Sequence, residues 1–595
     1  MRPTIDELEE ALEIAQPESE KLYLDDSRRL TGPGLMWEKP GAIVEVVAVG
    51  FPADEIAAVW HRQARRVLDG VGWAHENCCS RPHENGFNLA ISAPMDQLYS
   101  AIFVAQAAWH YTASELLETI PIPFEKMVAD LRGVMASEAR PELIALQQGA
   151  ADHGVDFISD DDEVSLGHGC GSQTWSVAEI PAPSQVDWAA LHDVPVAMVT
   201  GTNGKSTCVR LASAVATAAH KVAGVTSTDF VRVGDTILDH GDYSGPGGAR
   251  MLLRDSRLEV AFLEVARGGI LRRGLALNRA QAALITNVAA DHLGQYGINT
   301  VAALIEVKFS VFRTLVPGGV LVLNADDTGL VAHARLLASE VAEQGKTIAW
   351  FSLHKNNPCI VEAISEGLPC GWLRDGALWY FDGREQQLII AVDDIPITMG
   401  GAAQYNIQNA LGVMCLCLSF NLSAAAVRKG LGSFHNNPED NPGRCNEFAV
   451  NGARVFVDFA HNPHSIAAVA DTMKCLPAQN RLLMLGHAGD RSDAEIQDLT
   501  SGALVLHPSH VVITELPDYL RGRESGEVSE VIRRECLRGG LTETQLSFSH
   551  DPLAGTRRAL DLLEPGDLAL LLVHSNRDEI IELLSDTANR GEVLP

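Results

Sequence analysis

The stretch from Val194 to Thr207, VPVAMVTGTNGKST, limits what the rest of this chain can fold into. Val194, Val196, Ala197, Met198 and Val199 form an apolar run that reads as a buried strand. It breaks at Gly201-Thr202-Asn203-Gly204-Lys205-Ser206-Thr207 and continues as the helix-compatible CVRLASAVATAAHKV. Strand, glycine loop and helix in that order are the setting of a phosphate-binding loop. Glycines let backbone N–H groups approach a polyphosphate, and the helix N-terminus favours negative charge there. Lys205 can reach the terminal phosphates, and the Ser206 hydroxyl can bind the magnesium that travels with them. A tight turn whose lysine only points to solvent would not need Lys, Ser and Thr directly after the glycines. The stretch is read as a nucleotide site.

The loop departs from the strict Walker pattern, because Val199 stands where its first glycine would be. The shorter form, Gly-Thr-Asn-Gly-Lys-Ser-Thr, resembles the Mur ligase family, ATP-dependent enzymes that join an amine to a carboxylate. FLEVARGGILRRGL (Phe262 to Leu275), ITNVAADHLGQYGI (Ile285 to Ile298) and VDFAHNPHS (Val457 to Ser465) carry the same resemblance. GDYSGPGGARMLLRD (Gly241 to Asp255) narrows it to the Mur-like half of the cyanophycin synthetases. The likeness runs from near Asp187 to the end. RRLTGPGLMW (Arg28 to Trp37) is similar to the opening of those same enzymes, whose N-terminal domain helps hold the growing polymer.

At 595 residues the chain has room for about three or four domains. The net charge of −31 excludes a general nucleic-acid or anionic-membrane surface, which would repel it. No run approaches the ~18 apolar residues of a membrane span, and MRPTIDELEE is too acidic for a signal peptide, so the cytoplasm is expected. The eleven cysteines are scattered without a Cys-x-x-Cys pair, which suits reduced thiols. His75, Cys78, Cys79 and His83 crowd together, but adjacent cysteines lack zinc-ligand spacing, and a surface loop is expected there.

The fold class expected is α/β. Residues 1–160 read as a separate α+β N-terminal domain, with a strand over 42–49 and helices over 52–68 and 97–119. The stripe Tyr99, Phe103, Ala107 and Trp109 to Tyr111 should face its core. Residues 161–193 read as a hairpin and a proline-bracketed linker, whose Trp188 and Leu191 should dock on the domain C-terminal to it. Residues 194–440 alternate strands (194–200, 259–264, 282–287, 319–324, 347–352) with helices. This predicts a P-loop, Mur-ligase-type central ATP-binding domain with a mainly parallel sheet. A helix over 400–418 closes it, and NNPEDNPG (436–443) marks a boundary. Residues 441–595 repeat the alternation (453–458, 481–486, 510–514, 568–573) as a smaller, Rossmann-like C-terminal domain.

Ligation requires phosphate donors, charge neutralisation and exclusion of water. Glu264 ends an apolar strand before Ala-Arg-Gly-Gly, at the sheet edge where ligands bind in doubly wound folds. The resemblance makes it a magnesium ligand beside the γ-phosphate. Asn287, Asp291 and His292 follow the next strand, and His292 resembles the family histidine that helps bind a second magnesium. Lys308 stands near the position where many Mur ligases carry a carbamylated lysine; an ordinary helix-surface lysine is the other reading. Asn406 and Asn409 resemble the helix whose asparagine contacts adenine. Arg444 and Asp458 resemble residues that bind phosphate and ribose, with Phe459 where relatives often have tyrosine, and His461 and Asn462 ordering that loop. Gly489-Asp490-Arg491 and Arg521 to Arg523 resemble segments near the incoming amine, although interdomain salt bridges would explain these arginines equally well.

Lys205, Glu264, His292 and Lys308 are thus the expected catalytic set. Gly201 to Thr207, Asn406, Asn409, Arg444 and Asp458 are expected to hold ATP, with Ser206, Glu264 and His292 on Mg2+. The expected function is an ATP-dependent acid–amino-acid ligase forming a peptide or isopeptide bond through an acyl phosphate. By resemblance, an aspartyl side-chain carboxylate is activated and an amino acid such as arginine attacks it, while the two α/β domains close over ATP. An amino acid or peptide is then the substrate, and a homo-oligomer stays open. Ligation of a cell-wall precursor or a folate is the rival within enzymes. A nucleotide-binding regulatory subunit without turnover is the rival outside them. Cyanophycin synthetases also carry an ATP-grasp module, and the roughly 190 residues before the loop leave no space for a domain of that size beside the N-terminal one; a single ligation is expected.

Overall fold

Short apolar runs bounded by turn residues become twenty-four strands among the described residues. The computed structural model describes residues 3–591. Its chain folds as two compact units. One comprises Met1–Gly371, Tyr380–Gln386 and Gly412–Val427; the other comprises Trp372–Trp379, Gln387–Leu411 and Arg428–Pro595.

The first unit begins with an antiparallel sheet of β1 (Leu22–Leu30), β2 (Gly41–Ala48), β3 (Cys78–His83) and β4 (Gly86–Ser92), in the order β1-β2-β4-β3. Helices Ala53–Val71 and Leu98–Leu116 pack on it, burying Trp60 and Trp109 completely. Phe103, Ala107, Trp109 and Tyr111 are in this core, as the helical periodicity predicts, whereas Tyr99 is buried outside it against Arg29. In the region around His75 to His83, His75 lies in an exposed turn as expected, but the rest is not a surface loop. Cys78 to His83 pair with β4 across a tight turn, from Cys78↔Ile91 to His83↔Gly86. As an edge strand, β3 tolerates Pro82 and its polar residues, which hid it in the sequence.

A three-stranded antiparallel sheet follows: β5 (Phe157–Ser159), β6 (Glu163–Leu166) and β7 (Gln173–Ser176). Trp188 and Leu191 dock backwards rather than forwards. They cover Leu143, Leu146 and Ala150 on the helix Pro141–His153. The Trp188 ring stacks on His153 at 4.2 Å, and its Nε1–H donates to the Pro183 carbonyl at 2.9 Å. The apolar face of that helix is shared between the linker and the three-stranded sheet, whose Phe157, Val164 and Leu166 belong to the same cluster.

The sheet that carries the glycine loop contains β8 (Val196–Thr200), β9 (Ala223–Thr226), β10 (Phe230–Val233), β11 (Thr236–His240), β12 (Val260–Glu264), β13 (Ala280–Ile285), β14 (Leu315–Asn324) and β15 (Thr347–Ser352). Their order is β11-β10-β9-β12-β8-β13-β14-β15. β8 is parallel to both neighbours, with Val199 opposite Glu264 and Thr200 opposite Ile285. The C-terminal ends of three central strands therefore meet at one edge of the sheet. This is where ligands bind in open parallel sheets. Residues of β8, β12 and β13 are buried on both faces, as a sheet covered on both sides demands.

Strands β16 (Cys370–Arg374), β17 (Ala377–Phe381) and β18 (Gln386–Ala391) and the helix Gln404–Ser419 come next. The last sheet of the second unit contains β19 (Asn446–Val450), β20 (Ala453–Asp458), β21 (Arg481–Leu485), β22 (His510–Thr514), β23 (Leu546–Ser549) and β24 (Leu568–Leu572), ordered β19-β20-β24-β21-β22-β23. All its pairings are parallel except β19 with β20. Alternate residues feed two cores, Phe456 on one side and Val455 with Val457 on the other. Among the described residues no helix is long and apolar enough to cross a membrane.

Candidate active site

The loop after β8 is shaped by its glycines and clamped by the segment after β13. Gly204 has φ +85° immediately before the helix Lys205–Ala218, a left-handed conformation that L side chains avoid. A Cβ on Gly201 would stand 1.9 Å from the Thr286 hydroxyl, so only glycine fits against β13. Thr202 N–H donates to the Asn287 carbonyl at 2.8 Å, and Asn203 N–H to Asn287 Oδ1 at 3.1 Å. In return, the Thr286 hydroxyl and the Asn287 amide donate to the Asn203 carbonyl at 2.6 and 3.1 Å. The loop is preorganised at the N-terminus of a fourteen-residue helix, where N–H groups and the helix dipole favour an anion. The Lys205 ammonium folds over it, donating to the Thr202 carbonyl at 3.0 Å.

Glu264, at the end of β12, is only 2% exposed. Its Oε2 accepts from Thr228 N–H at 3.3 Å, whereas its Oε1 is buried without a hydrogen-bond partner. The Thr228 hydroxyl is 3.3 Å from that of Ser206. One carboxylate oxygen left bare in a buried corner, with two hydroxyls beside it, is costly unless a cation completes it. An oxygen-only donor set of this kind suits magnesium. Thr228 is the member missed in the sequence. It follows the four-residue β9, AGVT, which is too short and too glycine-interrupted to register as a strand.

Lys308 is not a helix-surface lysine. It ends the helix Val301–Lys308, is 3% exposed, and donates from Nζ to the Gly201 carbonyl at 2.8 Å. Burial holds its ammonium well below the usual lysine range. The neighbouring Lys205 charge adds to that effect, and Asp291 opposes it.

Asp291 and His292 lie in the loop after β13. The His292 ring is 3.9 Å from the Asp291 carboxylate, and its side chain is 55% exposed. Arg267 holds this loop through the His292 carbonyl and, at 2.6 Å, the Gln295 side chain. The Gly241–Asp255 segment abuts the end of β12, where Ala266 N–H donates to the Ser244 carbonyl at 2.9 Å. Ser244, Pro246, Glu264 and Ile270 line a small cleft of about 20 Å³ there.

In the second unit the expected adenosine-binding side chains are buried in local networks. The Asn406 amide donates to the Ile397 carbonyl at 2.8 Å, and that of Asn409 donates to Asn406 Oδ1 at 3.0 Å. Asp458 accepts from Cys445 N–H at 2.8 Å and from Ala460 N–H at 2.7 Å. Burial raises its carboxyl, and the nearby Arg444 opposes this. Arg444 stacks over the Phe459 ring at 5.0 Å. The Arg491 guanidinium donates to the His461 carbonyl at 2.9 Å, and the Asn462 side chain caps the helix Pro463–Cys475. Arg521 pairs with Asp490, and Arg523 with Asp493, all within this unit.

The model of the Mur ligase middle domain matches residues 199–417, and that of the Mur ligase glutamate ligase domain matches residues 443–590. The chain belongs to the Mur ligase family. Among curated Mur-type relatives, the cyanophycin synthetase of Nostoc sp. is 34% identical over 387 residues, 64% of this chain and 41% of that protein. The UDP-N-acetylmuramoyl-L-alanyl-D-glutamate–2,6-diaminopimelate ligase of Chlamydia caviae is 23% identical over 386 residues, covering 63% and 71%. Among solved structures, E. coli FolC in complex with ADP aligns over 67% of this chain and 90% of its own, at 18% identity and a TM-score of 0.49. The chain spans about two-fifths of the length of the cyanophycin synthetases it matches.

Proposed function

We propose that this Mur ligase is an ATP-dependent acid–amino-acid ligase that activates an aspartyl-type side-chain carboxylate and joins it to an amino acid such as arginine. The observation that carries the reading is the corner formed by Ser206, Thr228 and Glu264 beside the glycine loop, with its partnerless Glu264 Oε1. Similarity to the cyanophycin synthetases, over that part of their length which this chain covers, supports the choice of substrates.

In this reading the N–H groups at the start of the helix Lys205–Ala218 bind the phosphates, and Lys205 offsets the charge that develops during transfer. Ser206 and Glu264 hold Mg2+, and His292 assists. The bound metal supplies charge neutralisation across the phosphates. Lys308, its charge disfavoured by burial, is suited to react with carbon dioxide and form a carbamate. Asn406, Asn409, Arg444 and Asp458 serve the adenosine and phosphate parts of ATP.

The experiment is a screen of single amino acids against short aspartyl peptides, read as phosphate release and product mass. An amide product with an aspartyl acceptor supports the reading. Products only with a folate or a muramyl peptide would replace it.

A further inference from the structure

The first four strands do more than form a neighbouring domain, because three of them reach the loop that carries Asp291 and His292. Within that loop His292 and Tyr296 have φ of +49° and +57°, and Gly294 and Gly297 have +91° and +68°. Two non-glycine residues in the left-handed region persist only where the surroundings hold them. Arg267 holds one side, through the His292 carbonyl and Gln295.

The other side is held from β1, β3 and β4. Arg28 on β1 is 8% exposed, and its guanidinium lies 4.8 Å from the centre of the Tyr296 ring. Its Nε donates to the Leu271 carbonyl at 3.0 Å, in the same short helix, Arg267–Arg273, that begins with Arg267. Its Nη2 donates to Glu45 at 2.5 Å and its Nη1 to Asp26 at 2.8 Å, which fixes its plane. Asn88 on β4, almost fully buried, donates to the Tyr296 carbonyl at 3.2 Å. The His83 ring packs on Gly297, 2.4 Å from where a Cβ would stand. The rest of the Arg28–Gly34 segment runs against the same helix end: Thr31 N–H donates to the Arg273 carbonyl at 2.7 Å, and Leu275 N–H to the Pro33 carbonyl at 2.6 Å.

We propose that Arg28 is a positioning residue for ligation: with Asn88 it clamps Tyr296 and the Leu271 carbonyl, and so fixes the backbone that presents Asp291 and His292. The inference rests on the proposed function, in which this loop serves the nucleotide site. A guanidinium is required because it must stack on a ring, donate sideways from Nε and pair with two carboxylates at once; an ammonium cannot do all three.

The test uses full-length Arg28→Lys, Tyr296→Leu and Tyr296→Phe proteins. Amide hydrogen exchange of the ligand-free proteins should rise in residues 289–299 for Arg28→Lys and Tyr296→Leu, while β8 and β13 stay as in the wild type. Tyr296→Phe, which keeps the ring, should behave as wild type. In ligation, the first two variants should lose roughly tenfold in kcat, as displaced groups do. They should need more magnesium for half-maximal rate, with the KM for ATP within about twofold, and the double variant should lose less than the product of the single losses. Tyr296→Leu lies outside the N-terminal core, so it reports even if Arg28→Lys fails to fold. Wild-type exchange and magnesium dependence in a folded Tyr296→Leu protein would overturn the proposal. If Lys205→Ala also ligates normally, it is the ligase reading that falls. If Lys205→Ala is inactive, only the clamp falls.

Discussion

The Nζ of Lys308 donates a 2.8 Å hydrogen bond to the carbonyl of Gly201, tying the end of the helix Val301–Lys308 to the first glycine of the loop after β8. Because the amine is buried, its proton leaves at a lower pH than the usual 10.5. The unfolded chain therefore binds more protons in the window between the folded value and 10.5, and stability rises with pH across it, by about 1.4 kcal/mol for each unit of depression. Thermal unfolding of wild type and Lys308→Met, in buffers free of bicarbonate, should diverge in the wild type's favour as pH rises towards 10.5. Parallel profiles would place the lysine in an ordinary exposed setting. Activity lost in Lys308→Ala should be partly restored by a short-chain carboxylate in solution if a carbamate works here; a wild-type-like rate without rescue would end that idea.

Lys205 reaches over its own loop and makes one hydrogen bond, to the Thr202 carbonyl. Lys205→Ala should leave thermal unfolding close to wild type and lower ligation by about a hundredfold or more, the scale on which groups stabilising transferred charge act. A folded variant with near wild-type turnover would remove Lys205 from the mechanism.

Glu264 buries a carboxylate oxygen that has no hydrogen-bond partner. Glu264→Gln should be at least as stable as wild type without metal, since it removes an uncompensated buried charge. It should also lose most of the stabilisation that magnesium and nucleotide give the wild type, and it should need more magnesium for activity. His292→Ala should share the magnesium effect without the gain in stability. Unchanged magnesium titrations in both would make the two residues scaffold.

Asn406 and Asn409 are bonded to each other and to the turn at Ile397. Asn406→Ala leaves the buried Ile397 carbonyl without this donor, and should cost about 1–3 kcal/mol in chemical denaturation. If the helix also serves adenine, the KM for ATP rises as well. A lower stability with an unchanged KM would confine Asn406 to structure.

The central strands of the sheet that carries the glycine loop were legible because each is a short apolar run flanked by glycines or polar turns. β8, β12 and β15 fall within a residue or two of the spans expected from periodicity. Glu264 was legible for a related reason, as a carboxylate closing such a run. What stayed hidden depended on long-range pairing. β9 is four residues long, and β3 contains a proline tolerated only at an edge. The place of Thr228 and the roles of Asn287 and Arg267 in holding loops required knowing which strand ends lie side by side. The linker's Trp188 misled for the same reason: an apolar residue announces burial without saying on which side its partner lies.

The central claim is that the glycine loop and the Ser206–Glu264 corner couple ATP cleavage to amide formation. The most direct measurement is ADP release by the purified chain, with product mass, as acceptor peptide and amine are supplied separately and together. One ADP is expected for each amide bond, with negligible release when either substrate is omitted and loss of both products in Lys205→Ala. ADP release that ignores the amine and yields no amide, or nucleotide binding without cleavage under any combination, would contradict it.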